Sequence, residues 1–299
     1  MIAGSIVQQS DARQTAPGRP PAEDLRAHLR GMWAAVAPGW GVHADYVDAR
    51  GAAVTDAMLD RVLPQPGERV LELACGPGGL GIAVAERVAP GGEVVLSDVA
   101  AEMTAIAASR AAALGLANVS TRQLDLEQID QPDGSYDVVV CREGLMFAPD
   151  PAAAAREIRR VLRPGGRVAL AVWGPRERNP WLGLVFDAVT AQTGRPVPPP
   201  GFPGPFSLGD REQLIALLAA GGLTAIRVTE QPTPLEAGSF DEWWMRTAAL
   251  AGPLAALLAG LPEEAKRALS ARLEESVRSY RTASGIEIPG VTLIASARR

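Results

Sequence analysis

The sequence predicts an α/β fold in which a doubly wound, mostly parallel sheet of seven strands is covered by helices. Three observations support this prediction. Short apolar runs alternate with helical patterns between residues 65 and 175, a rhythm typical of right-handed crossovers between parallel strands. A glycine-rich turn follows the first of these runs. The fourth run, residues 136–141, is almost wholly apolar, as expected of a strand that is buried on both faces.

The composition is that of a globular protein with a full core. The 299 residues suffice for one large α/β domain with additions or for two small domains. Hydrophobic residues make up 47% of the chain and charged residues 21%, which is ordinary globular usage. The formal net charge of −5 disfavours nucleic-acid substrates, because a negative chain is repelled by phosphate backbones.

The sequence contains no evident targeting or membrane-spanning segment. Its first ten residues lack the basic start and the long apolar stretch of a signal peptide. The longest apolar stretch, residues 248–261, is interrupted by a Gly-Pro pair and is too short to span a bilayer. Two cysteines, Cys75 and Cys141, indicate a reducing compartment and no disulfide scaffold. We therefore expect a cytoplasmic protein.

Seven strands are predicted from apolar runs that end in turn residues. Helical patterns follow the first, second and fourth of them, and Gly115 is a suitable C-terminal cap for the helix that precedes the third. The predicted strands are residues 69–73, 93–97, 119–124, 136–141, 167–173, 223–229 and 291–297.

A glycine-rich turn gives the first indication of a bound cofactor. Residues 76–81, with the sequence GPGGLG, fit the G-x-G-x-x-G pattern, follow a predicted strand and begin a predicted helix. Asp98 lies about twenty residues further on, at the end of the second strand, where a ribose ligand is expected. Enzymes that bind nicotinamide or flavin cofactors share this pattern, so the turn alone does not identify the cofactor.

Three carboxylates near the turn favour a cationic cofactor. Glu72 lies in the first strand, Asp98 ends the second and Asp125 follows the third. The carboxyl ends of parallel strands meet at one edge of a sheet, so these side chains should lie close together. Such a cleft repels a pyrophosphate and attracts the sulfonium and ammonium groups of S-adenosylmethionine. We infer that this is the cofactor.

The same segments resemble class I S-adenosylmethionine-dependent methyltransferases, which have a Rossmann-like fold. VLELACGPGG at residues 70–79 resembles the first motif of that family, and YDVVV at residues 136–140 resembles its fourth-strand motif. EIRRVLRPGG at residues 157–166 closely resembles the helix and turn before its fifth strand. The branch most similar to this chain is that of the small-molecule methyltransferases related to ubiquinone and menaquinone biosynthesis. Ala74 departs from the pattern, because many members have a glycine there.

The resemblance implies a role for each acidic residue at the cleft. Asp98 is expected to hold the ribose hydroxyls, and Asp125 to lie beside the adenine amino group with a backbone contact from Leu126. The full set of residues expected at the cofactor is Glu72, Ala74, Gly76, Gly78, Asp98, Val99, Asp125, Leu126, Cys141 and Arg142.

Methyl transfer requires little chemistry from the protein, because the methyl group is already activated on a positively charged sulfur. The enzyme must place the acceptor in line and exclude water. A base is needed only where the acceptor loses a proton early. His43, in a segment that often folds over the cofactor in the resembling family, and Glu143, after the fourth strand, are the candidates, although His43 also suits a surface position. No metal-binding spacing is found in the sequence.

The chain is expected to divide into four parts. The last part carries two insertions, at about residues 176–209 and 232–289, and the second is rich in aromatic and apolar residues. This insertion resembles a hydrophobic lid and predicts a small apolar or aromatic acceptor. Alternatively, its helices only pack against the sheet or a partner subunit, and a homodimer is compatible with that interpretation. The parts are a flexible tail (1–24), a helical segment over the cofactor (25–64), the cofactor-binding core (65–175) and the remaining strands with the insertions (176–299).

Two other functions stay open at this point. A nicotinamide-dependent oxidoreductase would use the same glycine turn. A binding module could keep the fold without catalysis, because a fold does not determine a reaction.

Overall fold

The computed structural model describes residues 21–299, except for the side chains of Pro253 and Ala256. Most of the expected flexible tail, residues 1–24, lies outside the described residues. Its last residues already belong to the first helix, which begins at Ala22.

Seven strands form one mixed sheet, which confirms the predicted fold class. The ten strands of the described residues are β1 Arg69–Glu72, β2 Glu93–Asp98, β3 Val119–Gln123, β4 Tyr136–Arg142, β5 Leu162–Trp173, β6 Thr224–Pro232, β7 Leu235–Ala237, β8 Arg281–Thr282, β9 Gly285–Ile288 and β10 Val291–Arg298. The large sheet has the order β3-β2-β1-β4-β5-β10-β6, and β10 runs antiparallel to both of its neighbours. Strand order therefore reverses between β1 and β4, where ligands bind in doubly wound sheets.

Ten α-helices surround the sheet in the described part of the chain. They are α1 Ala22–Val42, α2 Ala44–Val62, α3 Gly79–Val88, α4 Ala101–Ala113, α5 Pro151–Val161, α6 Pro180–Thr193, α7 Arg211–Ala220, α8 Phe240–Leu250, α9 Gly252–Gly260 and α10 Glu263–Ser276. None of the helices in residues 21–299 has the length and apolar character needed to cross a membrane.

The alternation of side chains along the buried strands divides the core into two layers. Leu71 and Val139 face the layer that contains α5 and α7. Val70 and Val138 face the layer that contains α2 and α3. Successive side chains of a strand point to opposite faces, so strands that are apolar throughout require helices on both sides.

The two insertions build a third apolar cluster together. Side chains of α6 pack with those of α8 and α10, and Trp181 and Trp243 are among the buried residues. A small antiparallel sheet, β7-β9-β8, also contributes to this cluster, and the apolar runs of the sequence did not predict it. The sequence pattern predicts a helix over residues 239–280 with one break near Gly260, whereas the structure has three helices there, α8, α9 and α10. Both predicted insertions therefore form a single packed unit.

The Pro and Gly residues of the segment 37–41 predict an interruption of the first helix there. This prediction is wrong, because α1 continues through Pro38. Val36 and Ala37 are buried in a cluster with Met103 of α4, and Trp40 packs against the same cluster. Packing on both sides of the proline offsets the hydrogen bond that the proline removes. The break between α1 and α2 falls at His43 instead.

The buried amide of Asn179 connects the first insertion to β10. Its Nδ2 donates to the carbonyl oxygens of Pro175 and Val291, each at 3.1 Å. Its Oδ1 accepts from the backbone N–H of Val291 at 3.0 Å and from Nε1 of Trp181 at 3.3 Å.

We predict that Asn179→Ala lowers the free energy of unfolding by about 2–4 kcal/mol, because it leaves buried donors without acceptors. Urea denaturation measures the change. Gln123→Ala, which removes one exposed hydrogen bond, is the control and should change stability by less than about 0.5 kcal/mol. Equal changes in the free energy of unfolding for the two substitutions would contradict the structural role of the buried Asn179 amide.

Candidate active site

A deep cleft lies at the carboxyl edge of the sheet, where β1, β2 and β4 end. Its volume, including the open solvent at its mouth, is about 1340 Å³. Strand ends and the glycine turn form its floor, α1 covers one side, and the junction between α8 and α9 closes the top. We call this space the main cleft. Residues of the sheet edge that line it are Glu72, Ala74, Cys75, Gly76, Pro77, Asp98, Val99, Leu124, Asp125, Leu126, Arg142, Glu143 and Gly144.

The glycine turn owes its shape to left-handed backbone at three positions. Gly76 and Gly78 have φ values of 51° and 86°, and Ala74 has a φ of 51°. Gly78 caps α3, and a Cβ there would lie 2.9 Å from the Cβ of Ala107. Gly144 faces Ala74, and a Cβ on Gly144 would lie 2.3 Å from the Cβ of Ala74. The alanine at position 74 therefore fits because residue 144 is a glycine.

Asp98 connects the glycine turn to the end of β2. Its carboxylate accepts the backbone N–H groups of Gly76 and Ala100, each at 3.0 Å. Burial raises the pKa of Asp98, and the backbone donors lower it in part. The carboxylate thus holds the turn in place while it lines the main cleft.

Glu72 is a buried carboxyl beneath the turn. Its Oε2 accepts the backbone N–H of Gly81, in the first turn of α3, at 2.8 Å. Burial raises its pKa from 4.5 to about 8, although the charge of Arg142 and the Gly81 hydrogen bond oppose the shift. Residue 81 must be a glycine, because a Cβ there would lie 2.4 Å from Oε2 of Glu72.

The third carboxylate, Asp125, also lines the main cleft. Its Oδ1 accepts the backbone N–H of Glu127 at 2.8 Å, and its Oδ2 lies 3.7 Å from Nε of Arg26 on α1. Arg26 also donates from Nε to Oε2 of Glu127 at 2.9 Å. This ion pair fastens the start of α1 over the loop after β3.

Arg142 and Glu143 lie at the end of β4. Nη1 of Arg142 donates to Oγ1 of Thr55 at 2.8 Å, and its Nη2 lies 3.5 Å from Oδ1 of Asp48. Glu143 has a φ of 59°, a left-handed conformation that costs a residue with a Cβ about 1 kcal/mol or more. Non-glycine residues in this conformation are concentrated at functional sites.

Three of the predicted site residues do not line the main cleft. His43 occupies the junction between α1 and α2 and lies outside the cleft, because α1 extends further than expected. Gly78 is packed behind the turn against Leu96 and Ala107. Cys141 is fully buried on the face of β4 that packs against α5 and α7, and burial raises its pKa to about 12. The thiol at the cleft is that of Cys75.

One face of α1 contributes cleft residues that sequence reasoning missed or left as core. Arg26, Leu29, Trp33 and Trp40 all line the main cleft. Their spacing of three, four and seven residues places them on one side of a helix, and this was the available signal. Nε1 of Trp40 donates to the carbonyl oxygen of Leu250 at 3.0 Å. This hydrogen bond joins α1 to the second insertion above the cleft.

A smaller cavity of about 780 Å³ adjoins the main cleft, and we call it the side chamber. The two share a boundary that includes Arg142, Glu143 and Trp173. The remaining wall of the side chamber comes from α2, α6 and α8. The site therefore consists of two adjoining compartments.

Comparisons with known proteins associate this site with methyl transfer. A family model described as a methyltransferase domain matches residues 64–179. Nocamycin O-methyltransferase from Saccharothrix syringae is 33% identical over 197 residues, which cover 63% of this chain and 70% of that protein.

Similarity to two further proteins is more limited. The ubiquinone/menaquinone biosynthesis C-methyltransferase UbiE from Ectopseudomonas mendocina (strain ymp) is 39% identical over 124 residues, or 41% of this chain and 48% of that protein. The match thus spans about half the length of that relative. The crystal structure of the YcgJ protein from Bacillus subtilis superposes with a TM-score of 0.56 at 22% identity, covering 82% of this chain and 97% of that one. At this identity the superposition shows the fold alone.

We predict that the stability of Glu72→Gln relative to the wild type rises with pH. The pKa of Glu72 is raised in the folded protein, so the unfolded chain releases a proton that the folded protein keeps. Wild-type stability therefore falls between about pH 5 and pH 8, by up to about 1.4 kcal/mol per pH unit from this group. Glutamine keeps an acceptor for Gly81 and does not ionise. Chemical denaturation across this range measures the difference, and a difference independent of pH would contradict the prediction.

Proposed function

Because the chain belongs to the family of S-adenosylmethionine-dependent methyltransferases, we propose that it methylates a small acceptor held beside the cofactor in the side chamber. One observation carries this proposal. Glu72, Asp98 and Asp125, from three adjacent strand ends, line one cleft next to the glycine turn. A cluster of carboxyl groups at this position suits a ligand with positive charge and no phosphate.

The acidic residues of the main cleft suit the cationic groups of S-adenosylmethionine. Asp98 would hold the ribose hydroxyls, while Asp125 and the backbone of Leu126 would lie at the adenine. The carboxyl of Glu72 and the turn at Gly76 would lie near the cationic part. When bound, S-adenosylmethionine supplies a methyl group on a positively charged sulfur, which is the electrophile of the reaction.

The oxidoreductase alternative is disfavoured by the same carboxyl groups. A pyrophosphate at the glycine turn would lie near the carboxylate of Asp98, which already accepts the N–H of Gly76, and like charges repel at short range. The relatives reported above are named as methyltransferases. The non-catalytic alternative is disfavoured by the side chamber, because a binding module for one cofactor needs no second cavity at its reactive end.

The protein's own contribution to the reaction would be orientation and exclusion of water. Trp40 and the α8–α9 junction cover the main cleft, and the shared boundary directs the acceptor toward it. Glu143 lies at this boundary, and no basic side chain of residues 21–299 forms an ion pair with it. For a hydroxyl acceptor, this carboxylate would take the proton. His43 lines neither the main cleft nor the side chamber.

We expect the wild-type protein to bind S-adenosylhomocysteine and Asp98→Asn to bind it about 10- to 100-fold more weakly, because charge-assisted hydrogen bonds to the ribose are lost. Isothermal titration calorimetry measures both affinities. Asp130→Asn, a charge-matched change of a residue that does not line the cleft, is the control and should bind as the wild type does. Tight binding of a nicotinamide dinucleotide, with none of the thioether, would reverse the proposal.

Glu143→Gln should leave the affinity for S-adenosylhomocysteine within about twofold and slow methylation of a hydroxyl acceptor by about 10²- to 10⁴-fold, because a general base contributes about this much. The assay follows formation of S-adenosylhomocysteine with a panel of phenols. An unchanged rate in the variant would exclude Glu143 as the base.

A further inference from the structure

The side chamber contains two buried N–H donors that have no hydrogen-bond acceptor within residues 21–299. They are Nε of Arg50 on α2 and the indole Nε1 of Trp173 at the end of β5. Both residues line the chamber. Buried donors are almost always paired in folded proteins, so these two donors in one cavity are available to an acceptor on a bound molecule.

Three arginines line the side chamber, and within residues 21–299 Arg50 is the one that forms no ion pair. Arg142 is paired with Asp48, and Arg246 is paired with Glu242, with Nη2 2.6 Å from Oε1. Arg246 is also stacked on the Tyr46 ring at 4.0 Å.

No carboxylate of residues 21–299 forms an ion pair with the guanidinium of Arg50. It is stacked over the ring of Trp181, with Cζ 4.3 Å from the ring centroid. Glu143 lines the same chamber but lies at its boundary with the main cleft, and it forms no ion pair with Arg50. A ligand anion would therefore meet a cation that the protein has left without a counter-charge.

The unpaired cation is held in a fixed position. The ring beneath it belongs to Trp181, whose Nε1 donates to Oδ1 of the buried Asn179 at 3.3 Å. The Trp173 ring packs edge-on against the Trp181 ring, with centroids 4.8 Å apart. The two unpaired donors therefore belong to one rigid aromatic unit, which lowers the entropic cost of binding a ligand.

We propose that the side chamber binds the carboxylate end of a planar aromatic methyl acceptor, with Arg50 and the Trp173 indole as donors. This inference rests on the proposed methyl transfer and specifies its substrate class. A planar guanidinium matches a carboxylate, and the indole rings provide apolar walls for an aromatic body. One unpaired cation matches the single charge of a carboxylate, whereas a phosphate dianion would bring two. Arg50 lines the side chamber alone, whereas Trp173 lies with Glu143 at the boundary, so the body of the acceptor extends from Arg50 toward the main cleft.

The test compares aromatic acids with their neutral amides on the protein saturated with S-adenosylhomocysteine. The probes are para-hydroxybenzoate with para-hydroxybenzamide, and naphthoate with naphthamide. Calorimetry at neutral pH should show at least one acid bound about 10- to 100-fold more tightly than its amide, as expected for a charge-assisted hydrogen bond. Inorganic phosphate should not compete with that acid.

Three variants assign the preference to the proposed donors. Arg50→Gln should abolish the preference for the acid while S-adenosylhomocysteine binds as in the wild type, which also shows that the variant is folded. Trp173→Phe keeps a ring and removes the N–H, and it should reduce the preference by about threefold to tenfold. Arg61→Gln, an equal change of charge on the same helix outside the chamber, is the matched control and should keep the preference.

Several results would overturn the inference. They are equal binding of acids and amides, the absence of binding by any acid, competition by phosphate, and a preference that survives in Arg50→Gln. Each of these leaves the cofactor assignment intact as long as S-adenosylhomocysteine binds. A failure of S-adenosylhomocysteine to bind would refute the methyl-donor proposal itself, so the two failures are distinguishable.

Discussion

The burial of the Glu72 carboxyl beneath the glycine turn is the constraint on which the cofactor half of the structure depends. The carboxyl accepts the N–H of Gly81 and so fixes the angle at which α3 leaves the sheet. It also requires a glycine at position 81. Asp98 holds the other side of the same turn through the N–H of Gly76. The two buried carboxyl groups therefore determine the shape of the turn. A tight strand-to-helix connection alone would not require buried acidic residues.

The same burial links charge, folding and ligand binding. A carboxyl whose pKa is raised to about 8 is mostly protonated at neutral pH, so the folded protein avoids an unpaired buried anion. A cationic ligand beside it favours the ionised form, and binding then releases a proton. Away from the boundary at Glu143, the side chamber has the opposite polarity, because the unpaired charge there is the cation of Arg50. A cationic methyl donor would offset the cost of burying carboxyl groups in the main cleft. An anionic acceptor would offset the cost of burying Arg50 in the side chamber. Arg142 and Glu143 lie at the boundary between the two compartments.

The sheet and the carboxylate cleft could be predicted from the sequence, because their signals are local. Each strand of the core is a short apolar run, and Glu72 and Asp98 lie at fixed distances from the glycine turn. The features that were missed depend on contacts between distant segments. The small sheet pairs β7 with β9 across about fifty residues of sequence, and Pro38 is tolerated because α1 is packed against α4. Cys141 was misplaced for a different reason, since near a strand end a shift of one residue reverses the face that a side chain meets.

Different segments of the chain line the main cleft and the side chamber, which explains why the cofactor is identified more readily than the acceptor. The matched methyltransferase domain covers residues 64–179 and contains the three carboxylates of the main cleft. Arg50 precedes this domain, and Trp181 and Arg246 follow it, yet all three meet at the side chamber. They meet because α2 packs on the sheet while the insertions form one cluster above its edge. Acceptor recognition therefore rests on segments that lie apart in the sequence and outside the matched domain. A change in the insertions could alter the acceptor without disturbing the turn that holds the methyl donor.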